Sequence, residues 1–430
     1  MNVTSSYKVE IRKLHKPLKR TMDICRDAVT YLLPLIDSEW TSLSGITRSK
    51  QRFNTAERLI HETKHNKAKY PFDRKFPKMP SYLRRAVLQH VIGAVSSART
   101  AGGAPAGTGG STIHYMPVFY RDNMYRKKDG HTYLKLYSGT DWVWYEVQPV
   151  KTDLDYLRKH WSDVEAKSPV LVRRRRKYFL QFAFEKEVHL TETETDQQRI
   201  CAVDLGINTD AVCSIMTADG TVAARRFIRF PAEKDRLWHV LKRIRKHQRL
   251  HGPGSVKGFW AYAGRLNEEI AGKTAAGIIA FAKENRADVI VFEHLDMKGR
   301  KIRGKNRQKL HIWKKQAVQK IAEHHAHLCG MRISRVCAWR TSALAYDGSG
   351  PLIRDEKNHS LAVFTNGKQY NCDLSASYNI GARYFIRELL KPVPETGRSA
   401  LAAKVPAVQR RISCTYADLL ALRKEMAAAA

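Results

Sequence analysis

The stretch Tyr370–Phe385, YNCDLSASYNIGARYF, decides how this chain is read. Leu374, Ser377, Ile380, Gly381 and Tyr384 recur at helical spacing and predict a helix with one packed side. Asp373 then lies at the helix N-terminus, where the simplest role of an aspartate is to cap the first turn. The chain, however, is short of acid. It carries 76 Lys and Arg against 41 Asp and Glu, a formal net charge of +35 over 430 residues. A carboxylate entering a buried helix, with Asn379 six residues later, raises the question of what it works with.

Two acids upstream answer to the same description. Asp204 ends the run Ile200, Cys201, Ala202, Val203 and is followed by Leu205-Gly206, so it stands where a buried strand turns. Gly206, without a Cβ, lets backbone or substrate come close. Glu293 ends Val289-Ile290-Val291-Phe292, an apolar run of the kind buried on both faces of a sheet. Singly, such acids cap strand ends and solvate turns. Together, two strand-end acids and a helix-start acid in a cationic protein make a cage for hard divalent ions. Magnesium favours carboxylates plus water and phosphate oxygens, with manganese as a substitute. Two ions roughly 4 Å apart would activate water and stabilise the leaving oxygen of a phosphodiester.

Charge and composition agree with that substrate. A surface at +35 gains affinity for a polyphosphate by releasing its condensed counterions, which makes nucleic acid the expected partner. An acidic membrane is the rival, but no apolar run approaches the ~18 residues that span a bilayer, and the first residues show no signal-peptide core. The reading is a cytoplasmic protein of a prokaryotic cell. Its seven cysteines, at 25, 201, 213, 329, 337, 372 and 414, include no C-x-x-C pair, which fits reduced buried thiols and argues against a zinc ribbon.

Working outward, the sequence predicts a multidomain α/β protein. SYKVEIRKL alternates as a strand that Pro17 closes, and Met22, Cys25, Val29, Leu32 and Ile36 then share a helical face, with Pro34 expected to kink or end it. A second helix is predicted over Leu83–Ala98, so that 20–100 reads as a helical lobe. TAGGAPAGTGGS, within which 101–111 is taken as linker, has nothing to bury. IHYMPVFYRDN, HTYLKLYS, DWVWYEVQPV and KYFLQFAFEKEV read as strands separated by turns such as KKDG. With the N-terminal strand they predict a small antiparallel barrel, residues 1–19 and 112–198, interrupted by the helical lobe. Between its last two strands Arg173, Arg174, Arg175, Arg176 and Lys177 are candidate phosphate contacts, the alternative being a charged edge that blocks aggregation.

From residue 199 the pattern is α/β. RICAVDLGI, AVCSIMTADGTVAARRFI and ADVIVFEHLD are strands, the second phrase a hairpin turning at Asp219-Gly220. Leu237, Val240, Leu241 and Ile244 form a helical stripe with Arg236, Lys242, Arg243, Arg245, Lys246 and Arg249 mostly off it. Between Lys298 and Lys315 there are nine Lys or Arg and no acid, which marks Lys298, Arg300, Lys301, Arg303, Lys305 and Arg307 as nucleic-acid candidates. Trp313, nearby, is either a stacking ring or core. Residues 392–430 read as a loose tail with one short helix from Tyr416.

AVDLGIN, VIVFEHLD and NCDLSASYNIGARYF resemble the three split RuvC motifs of the transposon-encoded TnpB nucleases and their descendants, the compact type V CRISPR effectors. The order Asp, Glu, Asp at separations of 89 and 80 residues fits that family and departs from the Asp, Asp, Glu order of many cut-and-paste transposases. Leu310–Ser342 is similar to the helix and strand that lead into its third motif. The likeness covers residues 199–390 well, and the first half in layout only. It implies a split RNase-H-like (RuvC) nuclease domain at 199–342 and 373–391, a wedge-like barrel and a helical recognition lobe. It further implies a guide RNA that pairs with target DNA beside a short flanking motif, with Asp204, Glu293 and Asp373 carrying the ions. One departure is large. Relatives place two C-x-x-C pairs before the last aspartate, whereas here the insert 343–372 has Ala345 and Gly348 where thiolates would stand, so no zinc is expected. A metal-free hairpin turning at Asn366-Gly367 is predicted instead. A guide-dependent binder that represses without cutting, and an unguided structural or regulatory nucleic-acid-binding protein, are the alternatives.

Overall fold

A computed structural model describes residues 1–103, 115–294, 315–355, 358, 360–410 and 412–429. The chain divides into two compact units, Asn2–Lys186 and Glu187–Ala430, Met1 belonging with the second.

In the first unit, β1 (Asn2–Arg12) buries Val3, Val9 and Ile11 on alternate positions. Lys13 and Leu14, both at positive φ, reverse the chain into α1 (His15–Ser38), so Pro17 lies in the first helical turn, where a missing N–H costs little. Pro34 is accommodated inside α1, which runs on to Ser38. Short helices α2 (Trp40–Ser44), α3 (Ser49–Ile60) and α4 (Phe72–Lys75) lead to α5 (Ser81–Thr100), which buries Leu83, Val87, Leu88, Val91 and Val95. Strands β2 (Tyr125–Lys128), β3 (His131–Tyr137) and β4 (Trp142–Pro149), helix α6 (Lys151–Trp161), and strands β5 (Val170–Arg174) and β6 (Lys177–Glu187) complete the unit. The helices and the sheet share one apolar core, with Leu18, Leu32, Leu88, Leu134 and Leu180 among its members.

The sheet order is β2-β3-β4-β1-β6-β5, and among the described residues no ladder joins β2 to β5. The expected small antiparallel barrel is therefore corrected to an open six-stranded sheet. Its missing staple is the phrase expected as a strand, of which residues 115–123 are described. Pro117 has no N–H to give, Asp122 is at φ 63°, and those described residues make isolated bridges only, Val118 to Val170 and Arg121 to Tyr125.

In the second unit, β7 (Arg199–Asp204), β8 (Ala211–Thr217), β9 (Val222–Ile228), β10 (Val289–His294) and β11 (Arg332–Cys337) form a sheet in the order β11-β10-β7-β8-β9. β7, β8 and β9 run antiparallel as a meander, while β10 and β11 lie parallel to β7. At the β8–β9 turn Gly220 has φ 92° and the Asp219 carboxylate accepts from Thr221 N at 3.0 Å. Helices α7 (Pro231–His251) and α8 (Lys257–Glu284) join β9 to β10, and α9 (Lys315–Leu328) precedes β11.

Because strand side chains alternate, the central strands feed two cores. Cys201, Val203, Ile290 and Phe292 pack with Ala275, Ile278 and Ala282 of α8 and Val318 and Ala322 of α9. Ile200, Ala202, Val289 and Val291 pack with Leu374, Ile380 and Phe385 of α10 (Cys372–Leu390). Each buried Val, Leu, Ile or Phe among them contributes about 1.5–3 kcal/mol by leaving water. Gly381 sets how closely α10 approaches: a Cβ there would stand 2.3 Å from Met216 Sδ and 3.3 Å from Ala202 Cβ. The expected insert hairpin is present, as β13 (Leu361–Val363) and β14 (Gln369–Asn371), with β12 (Ile353–Arg354) pairing on the other side and Gly367 at φ 82°. In the tail the expected helix from Tyr416 is present as α13 (Tyr416–Ala429), and the part read as loose carries two more, α11 (Glu395–Lys404) and α12 (Ala407–Arg410). They place Val405, Val408, Cys414, Leu419 and Leu422 in the α10 core.

Candidate active site

The register of the central strands positions the first two acids. Phe292 is paired with Val203, so the next residue of each parallel strand, Glu293 on β10 and Asp204 on β7, stands one step further along the same pair. By alternation both carboxylates take the face of Ala202 and Val291, the one that α10 covers. Both are buried, Asp204 at 7% and Glu293 at 8% exposure, which for a carboxylate demands compensating partners. Glu293 has them. Its Oε1 accepts from Thr341 Oγ1, and its backbone carbonyl accepts from Gln319 Nε2 at 2.9 Å.

Asp373 comes to that face from α10. The helix is capped not by this aspartate but by Asn371, whose Oδ1 accepts from Leu374 N at 2.9 Å. The simplest structural role for Asp373 is thus already filled by another residue. Cys372 Sγ donates to Asp373 Oδ1 at 3.4 Å. The Cys372 thiol is pushed up to about 12, chiefly by burial and then by the Asp373 charge, with Arg354 opposing and Asp204 adding to the rise. One thiol thus feels both aspartates.

The loop after β11 is held by groups of α10. Asn379 Nδ2 donates to the carbonyls of Thr341 at 3.1 Å and Leu344 at 3.0 Å, while its Oδ1 accepts from Tyr416 N at 3.0 Å. Arg383, nearly fully buried, donates through Nη1 to the carbonyls of Cys337 and Trp339, both at 2.8 Å, and through Nε to Cys414 at 2.9 Å. Burial lowers the Arg383 pKa, and nearby groups, Glu293 among them, oppose that shift. In kind, the carboxylates of Asp204, Glu293 and Asp373 suit a hard divalent ion. In position they form no ready-made site: among the described residues no three His, Cys, Asp or Glu groups are grouped so as to hold a metal together.

This architecture is shared with Cas12f1. The chain superposes on Cas12f1 from its complex with single guide RNA and target DNA at a TM-score of 0.52 and 13% identity, covering 84% of this chain and 81% of that one. C2c1 of Alicyclobacillus acidoterrestris, in complex with single-guide RNA, matches at a TM-score of 0.45 and 11% identity over 87% of this chain and 65% of that one. At 13% identity the likeness to Cas12f1 is one of fold. A family profile, the Aq_aa04 family, matches residues 4–138. No curated protein matches the sequence. Among the described residues no helix is long and apolar enough to cross a membrane.

The basic candidates divide. Arg173–Lys177 forms the tip of the β5–β6 hairpin. Arg174 pairs with Lys177, and Arg175 turns at φ 56°. All five side chains are exposed, although Lys177 meets Glu10 Oε2 at 2.8 Å and Arg173 lies 5.8 Å from the Tyr178 ring centroid. Lys298, Arg300, Lys301, Arg303, Lys305, Arg307 and Trp313 lie outside the described residues. The supporting residues Thr341, Gln319 and Arg383 carry no signal in the sequence beyond their neighbourhood. Asn379 does, as an amide on an otherwise packed helix.

Proposed function

We propose that this chain is an RNA-guided DNA endonuclease of the RuvC type, related to TnpB and the compact type V effectors. The observation that supports it most is the strand register that puts Glu293 beside Asp204 on the face where Asp373 enters. The fold likeness to Cas12f1, in complex with single guide RNA and target DNA, supports the choice of partners.

On this reading Asp204, Glu293 and Asp373 hold magnesium. Bound there, the ion supplies Lewis-acid stabilisation of charge on the scissile phosphodiester and lowers the pKa of attacking water. The chain does the rest by placement. Thr341 and Gln319 fix the Glu293 side chain and backbone, so that one carboxylate oxygen is committed to orientation. Asn371 takes the capping duty, so Asp373 can turn its charge to the ion. Asn379 and Arg383 hold the loop that carries Thr341. The exposed Arg173–Lys177 hairpin tip contacts phosphate, and the short flanking motif is read by base-contacting groups elsewhere in the protein.

The test is to sequence the RNA that copurifies with the chain and offer DNA matching its variable end. The proposal expects a discrete RNA and magnesium-dependent cleavage of matched DNA, lost in Asp204→Ala with RNA still bound. A discrete RNA with tight DNA binding and no cut would make the protein a guided repressor. Heterogeneous RNA would make it an unguided binder.

A further inference from the structure

The insert that leads into Asp373 has almost no core of its own. Its strands β12, β13 and β14 are two or three residues long, and among the described residues of 343–371 only Ala345, Ala362 and Phe364 are buried apolar side chains. Strands that short do not hold a sheet by themselves. What holds this one is aromatic. The Tyr346 ring packs on Tyr370 at 5.0 Å, Tyr378 at 5.3 Å, Phe364 at 5.8 Å and Tyr416 at 6.0 Å between centroids, all within the range where ring pairs attract. Lys368 Nζ donates to its hydroxyl at 2.6 Å and lies 4.8 Å from its ring centroid. From β9, Arg225 Nη1 donates to the Tyr378 hydroxyl at 3.2 Å, which ties the cluster to the five-stranded sheet.

These contacts fall on both sides of Asp373. β14 ends at Asn371 and α10 begins at Cys372, so no linker absorbs a shift of the insert sheet before it reaches the aspartate. The junction is itself bonded to the insert: Cys372 N donates to the Ser360 carbonyl at 2.9 Å, and Asn371 pairs with Leu361. Tyr346 brackets it. Its ring packs on Tyr370, three residues before Asp373, and its backbone N–H donates to Ser375 Oγ, two residues after, at 3.1 Å. The loop that carries Tyr346 is held to the same helix, since Asn379 Nδ2 donates to the Leu344 carbonyl at 3.0 Å. A ligating carboxylate has to be held to within about 0.5 Å of its working position, and here one aromatic side chain grips the chain before and after it.

We propose that Tyr346 is a positioning residue for the acid corner, locking the insert sheet to the first turn of α10 and so fixing Asp373. The consequence for metal rests on the nuclease reading, whereas the lock itself does not. The probe is manganese(II) alone, titrated into the full chain and followed by electron paramagnetic resonance, beside hydrogen exchange measured without metal. Tyr346→Leu keeps apolar bulk but loses the ring, and should weaken manganese binding by about tenfold. It should also speed exchange of the Cys372 and Leu374 amides by about tenfold, with Tyr346→Phe close to wild type in both readouts. Leu401→Ala, which thins the same core from α11, should leave both unchanged. Equal changes in Leu401→Ala would make Tyr346 a packing residue only and overturn the proposal. An exchange rate unmoved by Tyr346→Leu, or faster exchange with manganese affinity intact, overturns it as well. Wild type that binds no manganese, or no more than Asp204→Ala does, counts against the nuclease reading alone, and the exchange rates then decide the lock.

Discussion

Strand β10 runs Val-Ile-Val-Phe before it meets its first charge, whereas β6 alternates Tyr178, Leu180, Phe182 and Phe184 inward with Phe179, Gln181, Ala183 and Glu185 on the other side. The five-stranded sheet is covered by helices on both faces, and its central strands are apolar throughout. The six-stranded sheet has its main core on one face and wears aromatic rings and cations on the other, as where Arg126 lies 4.2 Å from the Trp144 ring centroid. The difference teaches where charge carries information. In a doubly covered sheet a carboxylate at a strand end is costly and asks for a purpose, while on the open face of an antiparallel sheet a cation is ordinary.

Deleting a charge from the covered sheet should therefore cost activity outright, and deleting one from the open hairpin should not. Asp204→Ala or Glu293→Ala is expected to bring cleavage of guide-matched DNA to the level seen without divalent metal, with RNA binding nearly intact. Cutting that survives in both variants would remove the distinction between the sheets. Arg383→Met strips donors from the buried carbonyl of Cys414 and the partly buried carbonyls of Cys337 and Trp339 and should lower unfolding free energy by about 3 kcal/mol, read from the midpoint and slope of urea denaturation. Thr341→Val, which removes the hydroxyl on Glu293, should raise the magnesium concentration for half-maximal cleavage by about tenfold with little change in stability. An unaltered metal requirement would reduce Thr341 to a loop residue. The smallest effect is expected on the open side. Arg175→Ala with Arg176→Ala should weaken RNA binding by a few fold and lower the salt slope by about one for each phosphate no longer neutralised, leaving metal dependence unchanged.

The same contrast explains what can be read from the sequence. β7, β8 and β10 are legible because their central runs are apolar, β9 because Asp219-Gly220 turns the chain back from β8, and the hairpin at Asn366-Gly367 likewise for its turn chemistry. The three acids are legible as strand-end and helix-start carboxylates in a cationic chain. Their supports are not, since a threonine or arginine at a loop or helix position looks the same whether or not it reaches a distant carbonyl. Helix α6 goes unread although Leu154, Leu157 and Trp161 recur at helical spacing, because those three half-buried side chains are the whole of its apolar stripe. The helices α11 and α12 escape it because the core residues beside them, Val405 and Val408, are spread thinly through Ala- and Arg-rich sequence, whereas the helix from Tyr416 is read. The barrel is over-read: Pro117 and the left-handed Asp122 interrupt a phrase whose composition favours a strand.

The central claim is that Asp204, Glu293 and Asp373 share divalent cations, and anomalous diffraction from crystals of the guide-bound protein soaked in manganese tests it most directly. The account predicts manganese peaks bridged by oxygens from all three carboxylates, with Thr341 still on Glu293. Peaks elsewhere, or a carboxylate of the three directed away from an occupied site, would contradict it and leave a cationic nucleic-acid-binding protein without a hydrolytic centre.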